Sequence, residues 1–114
     1  MRILVCGGRN YTDQDRVFQE LSARHDIETI ELVIEGGAKG ADSYARYWAW
    51  AKGIPCMTIH AAWAKFGRAA GPIRNRWMLK YGQPDLCLAF PGGTGTDGMK
   101  KLALAAGCQV RSAE

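Results

Sequence analysis

Residues 85–107 read DLCLAFPGGTGTDGMKKLALAAG, and the reading of this stretch decides the fold. Its opening, DLCLAF, is a short apolar run of the kind that forms a buried strand. Its close, DGMKKLALAAG, carries helical spacing and ends at Gly107. Between them PGGTGT, residues 91–96, places three glycines and two threonines. Glycine costs chain entropy, so a cluster of it at a strand-to-helix junction implies that the backbone there meets something at close range. Thr96 is the expected N-cap of the helix that follows.

Working outward, the same strand-then-helix pattern recurs. RILVCG (2–7) is an apolar run ending in glycine, and DQDRVFQELSARH (13–25) sets Val17, Phe18 and Leu21 on one helical face, with Thr12 or Asp13 as N-cap. ELVIEGG (31–37) reads as a second strand. ADSYARYWAWAKG (41–53) reads as a helix stopped by Gly53 and Pro55. PCMTIH (55–60) is a third strand, GPIRNRWMLKYG (71–82) a helix with Pro72 in its first turn, and CQVRSA (108–113) a fifth strand. Such alternation predicts an α/β, Rossmann-like three-layer αβα architecture. The expected sheet is five-stranded and mostly parallel, in the order 3-2-1-4-5, with right-handed crossovers. Residues 1–114 are expected to form one domain. The longer connection AAWAKFGRAA (61–70) reads as a flap or a partner surface.

Composition narrows the function classes. With 47% apolar and 23% charged residues, the chain resembles ordinary soluble proteins, and no stretch approaches the ~20 apolar residues of a membrane span. The start, MRILVCGGRN, lacks the pattern of a secretory signal, so a cytoplasmic location is expected. Cys6, Cys56, Cys87 and Cys108 are scattered, without C-x-x-C or paired histidine. They read as small hydrophobes rather than disulfides or metal ligands, and neither a metal ion nor a cofactor is expected. The net charge of +4 suits an anionic ligand, but the basic residues form no dense tract of the kind that marks a nucleic-acid binder.

Glycine clusters close the first, second and fourth strands: CGGRNYTD (6–13), EGGAKGAD (35–42) and PGGTGTDG (91–98). In the order 3-2-1-4-5 these loops emerge side by side where the order reverses, the place where open α/β sheets bind ligands. The expected binding residues are Gly7, Gly8 and Arg9 in the first loop, and Gly36, Gly37 and Lys39 in the second. In the third they are Pro91, Gly92, Gly93, Thr94, Gly95 and Thr96. Glycines let backbone N–H groups approach an anion, the following helices add their positive ends, and Arg9 and Lys39 add full charge. A phosphate or diphosphate is the natural guest. Neither a Walker A motif nor G-x-G-x-x-G is present. In GPIRNRWM (71–78), Arg74, Asn75 and Arg76 fall near a helix start, where cations oppose the dipole. That placement suggests a use for Arg74 and Asn75 on phosphate or carboxylate, whereas Trp77, Met78 and Tyr81 read as core. The helix over 41–52 is apolar almost all round. Its Tyr47 and Trp50 need a cover, either the Trp63–Phe66 segment or a second subunit, and a homo-oligomer is expected.

Taken together, GGRNYTD, EGGAKGAD, GPIRNRWM and PGGTGTDGM resemble the YspA-like, cpYpsA-related branch of the SLOG superfamily of phage and bacterial proteins. Its relatives include Smf/DprA and the Lonely Guy (LOG) phosphoribohydrolases. The resemblance implies a Rossmann-like fold and a nucleotide-type ligand. LOG enzymes cleave the N-glycosidic bond of nucleoside 5′-monophosphates and carry a PGGxGT loop followed by two residues and then a catalytic Glu. Pro91, Gly92, Gly93, Gly95 and Thr96 match that loop, and Arg74 or Arg76 matches an arginine used before it, but Met99 stands at the Glu position. By this resemblance Glu35 or Asp97, both expected to face the crevice, would be the acid–base group. Alternatively, Asp97 supports the helix N-terminus and Glu35 closes a local hydrogen bond. The leading reading is a binding module for a nucleotide or nucleotide-derived ligand, an ADP-ribose-like signal or a nucleoside phosphate, acting as sensor or sequestering protein. The alternative is a LOG-like N-glycoside hydrolase. The third is single-stranded nucleic-acid binding through the aromatic and basic residues of Trp63 to Arg68.

Overall fold

Alternate residues of a strand point to opposite faces of its sheet, and in this chain the inner strands are apolar at both sets of positions. In the computed structural model, which describes residues 1–113, that property places a sheet between two helical layers. The strands are β1 (Arg2–Cys6), β2 (Leu32–Glu35), β3 (Cys56–Thr58), β4 (Leu86–Ala89) and β5 (Gln109–Ser112). They run in the order β3-β2-β1-β4-β5, and every neighbouring pair is parallel. The helices are α1 (Gln14–Ile27), α2 (Ala41–Lys52), the short α3 (Trp63–Phe66), α4 (Ala70–Gly82) and α5 (Thr94–Ala105), with a 3₁₀ turn at Gly67–Ala69. The expected α/β class, order and layering are those observed.

One layer packs Ile3, Val5, Val33, Leu86 and Leu88 against Val17 and Leu21 of α1 and Ala45 and Trp48 of α2. The other packs Leu4, Cys6, Ile34, Cys87 and Ala89 against Met78 of α4 and Met99 and Ala103 of α5. Complete burial of a Leu, Ile or Val side chain contributes roughly 1.5–3 kcal/mol, so β1, with Ile3, Leu4 and Val5 all at 0% exposure, anchors both layers.

Helix ends follow local chemistry, with one correction. Asp13 caps α1 by accepting from the Arg16 amide at 3.0 Å, and Gly53 closes α2 in the left-handed conformation. Thr96, however, is not an N-cap. Gly93 takes that role, accepting from the Asp97 amide at 3.0 Å, and Thr96 lies in the first turn, buried, its hydroxyl packed beneath Gly92. Tyr81 is also not core: α4 buries Asn75, Met78 and Gly82, and this leaves Tyr81 58% exposed beneath the Lys80 ammonium. Trp63 and Phe66 fold onto α4 rather than α2, Phe66 meeting Trp77 edge-on at 6.1 Å. Tyr47 and Trp50 are therefore left exposed, with the Arg46 guanidinium 5.6 Å from each ring. Among the described residues no helix is long and apolar enough to cross a membrane.

The loops after β1, β2 and β4 interlock through backbone. The Gly8 amide donates to the Pro91 carbonyl at 2.8 Å. A Cβ on Gly7 would stand 2.6 Å from the Ala41 Cβ, and one on Gly8 would stand 3.1 Å from the Gly92 Cα. Gly40 has φ +81°, and a Cβ there would strike the Gly8 carbonyl oxygen. Gly40→Ala therefore meets both strain and collision. It is expected to lower stability by about 1–3 kcal/mol, read as a lower urea midpoint at unchanged slope.

Candidate functional site

At the carboxyl edge of the sheet, over the interlocked loops, opens a cleft of about 1470 Å³. Among the described residues, Arg9, Lys39, Arg68, Arg74, Arg76 and Lys101 line it, against a single carboxylate, that of Asp42. Low-dielectric walls carrying six cations and one acid focus a positive potential into the cleft, which favours an anionic guest. Tyr11, stacked 5.5 Å from Phe90, and Trp63, 59% exposed, add aromatic surface.

The glycines divide into two groups. Gly7, Gly8, Gly36, Gly37, Gly40 and Gly92 are small because a neighbour occupies the space a Cβ would need. Gly93, Gly95 and Gly98 have nothing within 4 Å of a built Cβ, and none of them has a positive φ. All three line the cleft. Gly95 and Gly98 also lie within α5, where glycine costs about 1 kcal/mol relative to alanine at an interior position. Neither packing nor backbone conformation accounts for Gly95 and Gly98, whereas Gly93 is the N-cap. Beside them the amides of Thr94, Gly95 and Thr96 precede the first intrahelical bond of α5 and carry the positive end of its dipole.

Arg74 belongs to the second turn of α4, since that helix starts at Ala70, so its charge stands back from the positive end of the dipole. Its guanidinium reaches across to the loop after β2. Nη1 donates to the Gly36 carbonyl at 2.7 Å and Nε to Asn75 Oδ1 at 3.0 Å. A Cβ on Gly36 would displace the guanidinium from this position.

Glu35 does not face the crevice. It shares the α1/α2 face of β2 with Val33, is 0% exposed, and accepts from Thr58 Oγ1, from the Gly37 amide at 2.7 Å and from Arg46 Nη1 at 3.5 Å. The strand's two-residue period turns it away, and the local hydrogen-bond role holds. Asp97 is likewise absent from the cleft wall, exposed in the first turn of α5. Every other expected site residue, from Gly7, Gly8 and Arg9 through Arg74 and Asn75 to Thr96, lines the cleft. Met99, at the LOG Glu position, is 1% exposed and fills the floor with Cys6. The hydrogen bond to Cys87, with sulfurs 3.9 Å apart, and burial push the Cys6 thiol upward, so it stays neutral.

Sequence reasoning missed Asp42, His60 and Lys101, and read Arg68 only as part of a nucleic-acid surface. Asp42 is the most informative. It sits in the first turn of α2, where an acid reads as a complement to the helix dipole. In the fold it is 6% exposed, and Oδ2 accepts from the amides of Gly36 at 3.1 Å and Ala38 at 3.2 Å. Burial raises its pKa to about 7; the Ala38 bond, Arg74 and the Gly36 bond oppose that rise, and Glu35 adds to it. Oδ1 accepts no hydrogen bond among the described residues, and no described side-chain oxygen or nitrogen is both fully buried and unpartnered, so Oδ1 opens to the cleft.

Comparison with known proteins agrees with this picture. The model of the YspA, cpYpsA-related SLOG family matches residues 1–66. The chain is also similar to the Gene 61 protein of Mycobacterium phage D29, with 35% identity over 117 residues, covering 96% of this chain and 93% of that protein.

Because Asp42 keeps a proton in the folded state that the unfolded chain releases near its ordinary range, its contribution to stability is complete at low pH. That contribution is lost as pH rises from about 4 toward about 7. Relative to Asp42→Asn, the native chain is expected to lose stability across this window at up to about 1.4 kcal/mol per pH unit, measured by urea unfolding at a series of pH values.

Proposed function

This chain belongs to the YspA, cpYpsA-related SLOG family, and on that premise we propose that its cleft binds a nucleotide or nucleotide-derived ligand by its phosphates. One observation carries the reading. Gly95 and Gly98, with the N-cap Gly93 beside them, leave open space next to the unpaired amides of α5, and the two within the helix have no other physical reason for being glycine. A phosphate fits that space, held by the amides of Thr94, Gly95 and Thr96 and the Thr94 hydroxyl, with charge from Arg9 and Lys101. Tyr11 and Trp63 offer surfaces for a base. With Met99 buried at the Glu position and Glu35 turned to the opposite face, binding is favoured over catalysis, in keeping with a sensor or a sequestering protein. The exposed Tyr47 and Trp50 of α2 are the face a second copy would cover.

N-glycoside hydrolysis is the second reading, because Asp42 supplies one carboxyl on the cleft wall with a pKa raised to about 7, within the range useful for proton transfer. Release of free base from nucleoside 5′-monophosphates, abolished by Asp42→Asn, would replace the binding reading.

Titration calorimetry with nucleoside mono- and diphosphates and ADP-ribose is expected to give saturable binding for at least one of them, and silence across the whole panel rejects the proposal. Gly95→Ala is expected to keep stability or raise it by up to about 1 kcal/mol, since its methyl meets open space. The same substitution is expected to weaken nucleotide binding at least about ten-fold, the equivalent of roughly 1.4 kcal/mol.

A further inference from the structure

We infer that Asp42 and Asn75 form a hydroxyl-reading subsite beside the phosphate position, so that the cleft selects phosphate esters of hydroxyl-bearing sugars over deoxygenated analogues. The inference rests on the phosphate-binding reading above and adds what the rest of the ligand must offer.

The argument begins with a mismatch. A cleft built only for anions has no use for a carboxylate, yet Asp42 is held on its wall by two backbone amides on Oδ2, and Oδ1 is left open. Once Asp42 is ionised, a phosphate is repelled from that oxygen, because like charges at close range in a desolvated site repel. A cationic group is opposed by the six Lys and Arg side chains around it. The partner that satisfies Oδ1 is a neutral hydrogen-bond donor, and a sugar hydroxyl is one that also bears oxygen lone pairs for a neighbouring donor.

Asn75 supplies that neighbour. It is 6% exposed and lines the cleft. Arg74 Nε donates to its Oδ1, which identifies the other end of the amide as Nδ2, and Nδ2 has no protein partner among the described residues. Asp42 and Arg74 meet at Gly36: Asp42 Oδ2 takes the Gly36 amide, and Arg74, whose Nε orients Asn75, takes the Gly36 carbonyl. An acceptor and a donor, both fixed and both open to one cleft, match a pair of hydroxyls. The reach is also suitable. β2 and β4 flank β1, so the strand ends that lead to Asp42 and to the α5 amides stand roughly 10 Å apart, twice the spacing of adjacent strands. A lone phosphate does not bridge that gap, whereas a sugar phosphate extends across it.

The test is calorimetry of adenosine 5′-monophosphate and of 2′,3′-dideoxyadenosine 5′-monophosphate at about pH 8, where Asp42 is ionised. The native chain is expected to bind the dideoxy compound about 10- to 100-fold more weakly, the range for losing a hydrogen bond to a charged group in a desolvated site. Asp42→Asn, whose amide oxygen can keep the two backbone contacts, is expected to bring the two affinities within a few-fold of each other. Asn75→Ala provides an independent variant should the first fold poorly, and it is also expected to narrow the ratio. A purely structural Asp42 would weaken both nucleotides alike and leave the ratio unchanged, which overturns the subsite. Equal binding of both nucleotides by the native chain overturns the subsite while leaving the phosphate reading intact. Failure of the native chain to bind any nucleotide removes the phosphate reading, and the subsite with it.

Discussion

The site depends on the direct approach of backbone to backbone where three loops meet. Gly8 donates its amide to Pro91, Gly7 abuts Ala41, and Gly40 abuts the Gly8 carbonyl. Side chains at these positions would hold the loops apart by the width of a methyl group or more, and the rim would open. Because parallel strands in the order β3-β2-β1-β4-β5 deliver their carboxyl ends together, only small residues allow all three loops to share one edge. The close packing of these loops also explains why most of the glycines are structural. They serve the assembly of the rim before any ligand arrives.

Glycine around the cleft therefore has two distinct physical causes. The interlocking set resists substitution because atoms already fill the Cβ positions. The α5 set, Gly93, Gly95 and Gly98, faces empty space, and Gly95 and Gly98 weaken their own helix. A fold under selection for stability alone gains nothing from that second set. Its position beside unpaired amides and under a positive potential links the cost in stability to an anion-binding surface.

Electrostatics within the cleft are uneven. Six cations favour a negatively charged guest, while Asp42, desolvated and pinned by two amides, marks one wall as an acceptor. Arg74 connects the two characters. It spans from α4 to the loop after β2, steadies Asn75, and sets a positive charge near the carboxylate without neutralising its open oxygen. A ligand satisfying both regions must carry charge at one end and neutral donors at the other, and the specificity of the cleft follows from that polarity rather than from its size.

From the sequence by itself came the layers, the strand order, the helix stop at Gly53 and the grouping of the glycine loops. All of these follow from local periodicity and from residues whose conformational limits do not depend on context. The residue types able to meet an anion were legible for the same reason. Tertiary structure decided the rest, because facing and burial are set by neighbours distant along the chain. Glu35 and Asp42 are both acids near the same glycine pair. The period of β2 turns Glu35 toward Thr58, Cys56 and Arg46, whereas the first turn of α2 brings Asp42 back to the cleft. Thr96 lost the cap to Gly93, and Tyr81 lost its place in the core, for a related reason: each depends on which face a helix presents after it docks, and docking is a property of the whole sheet.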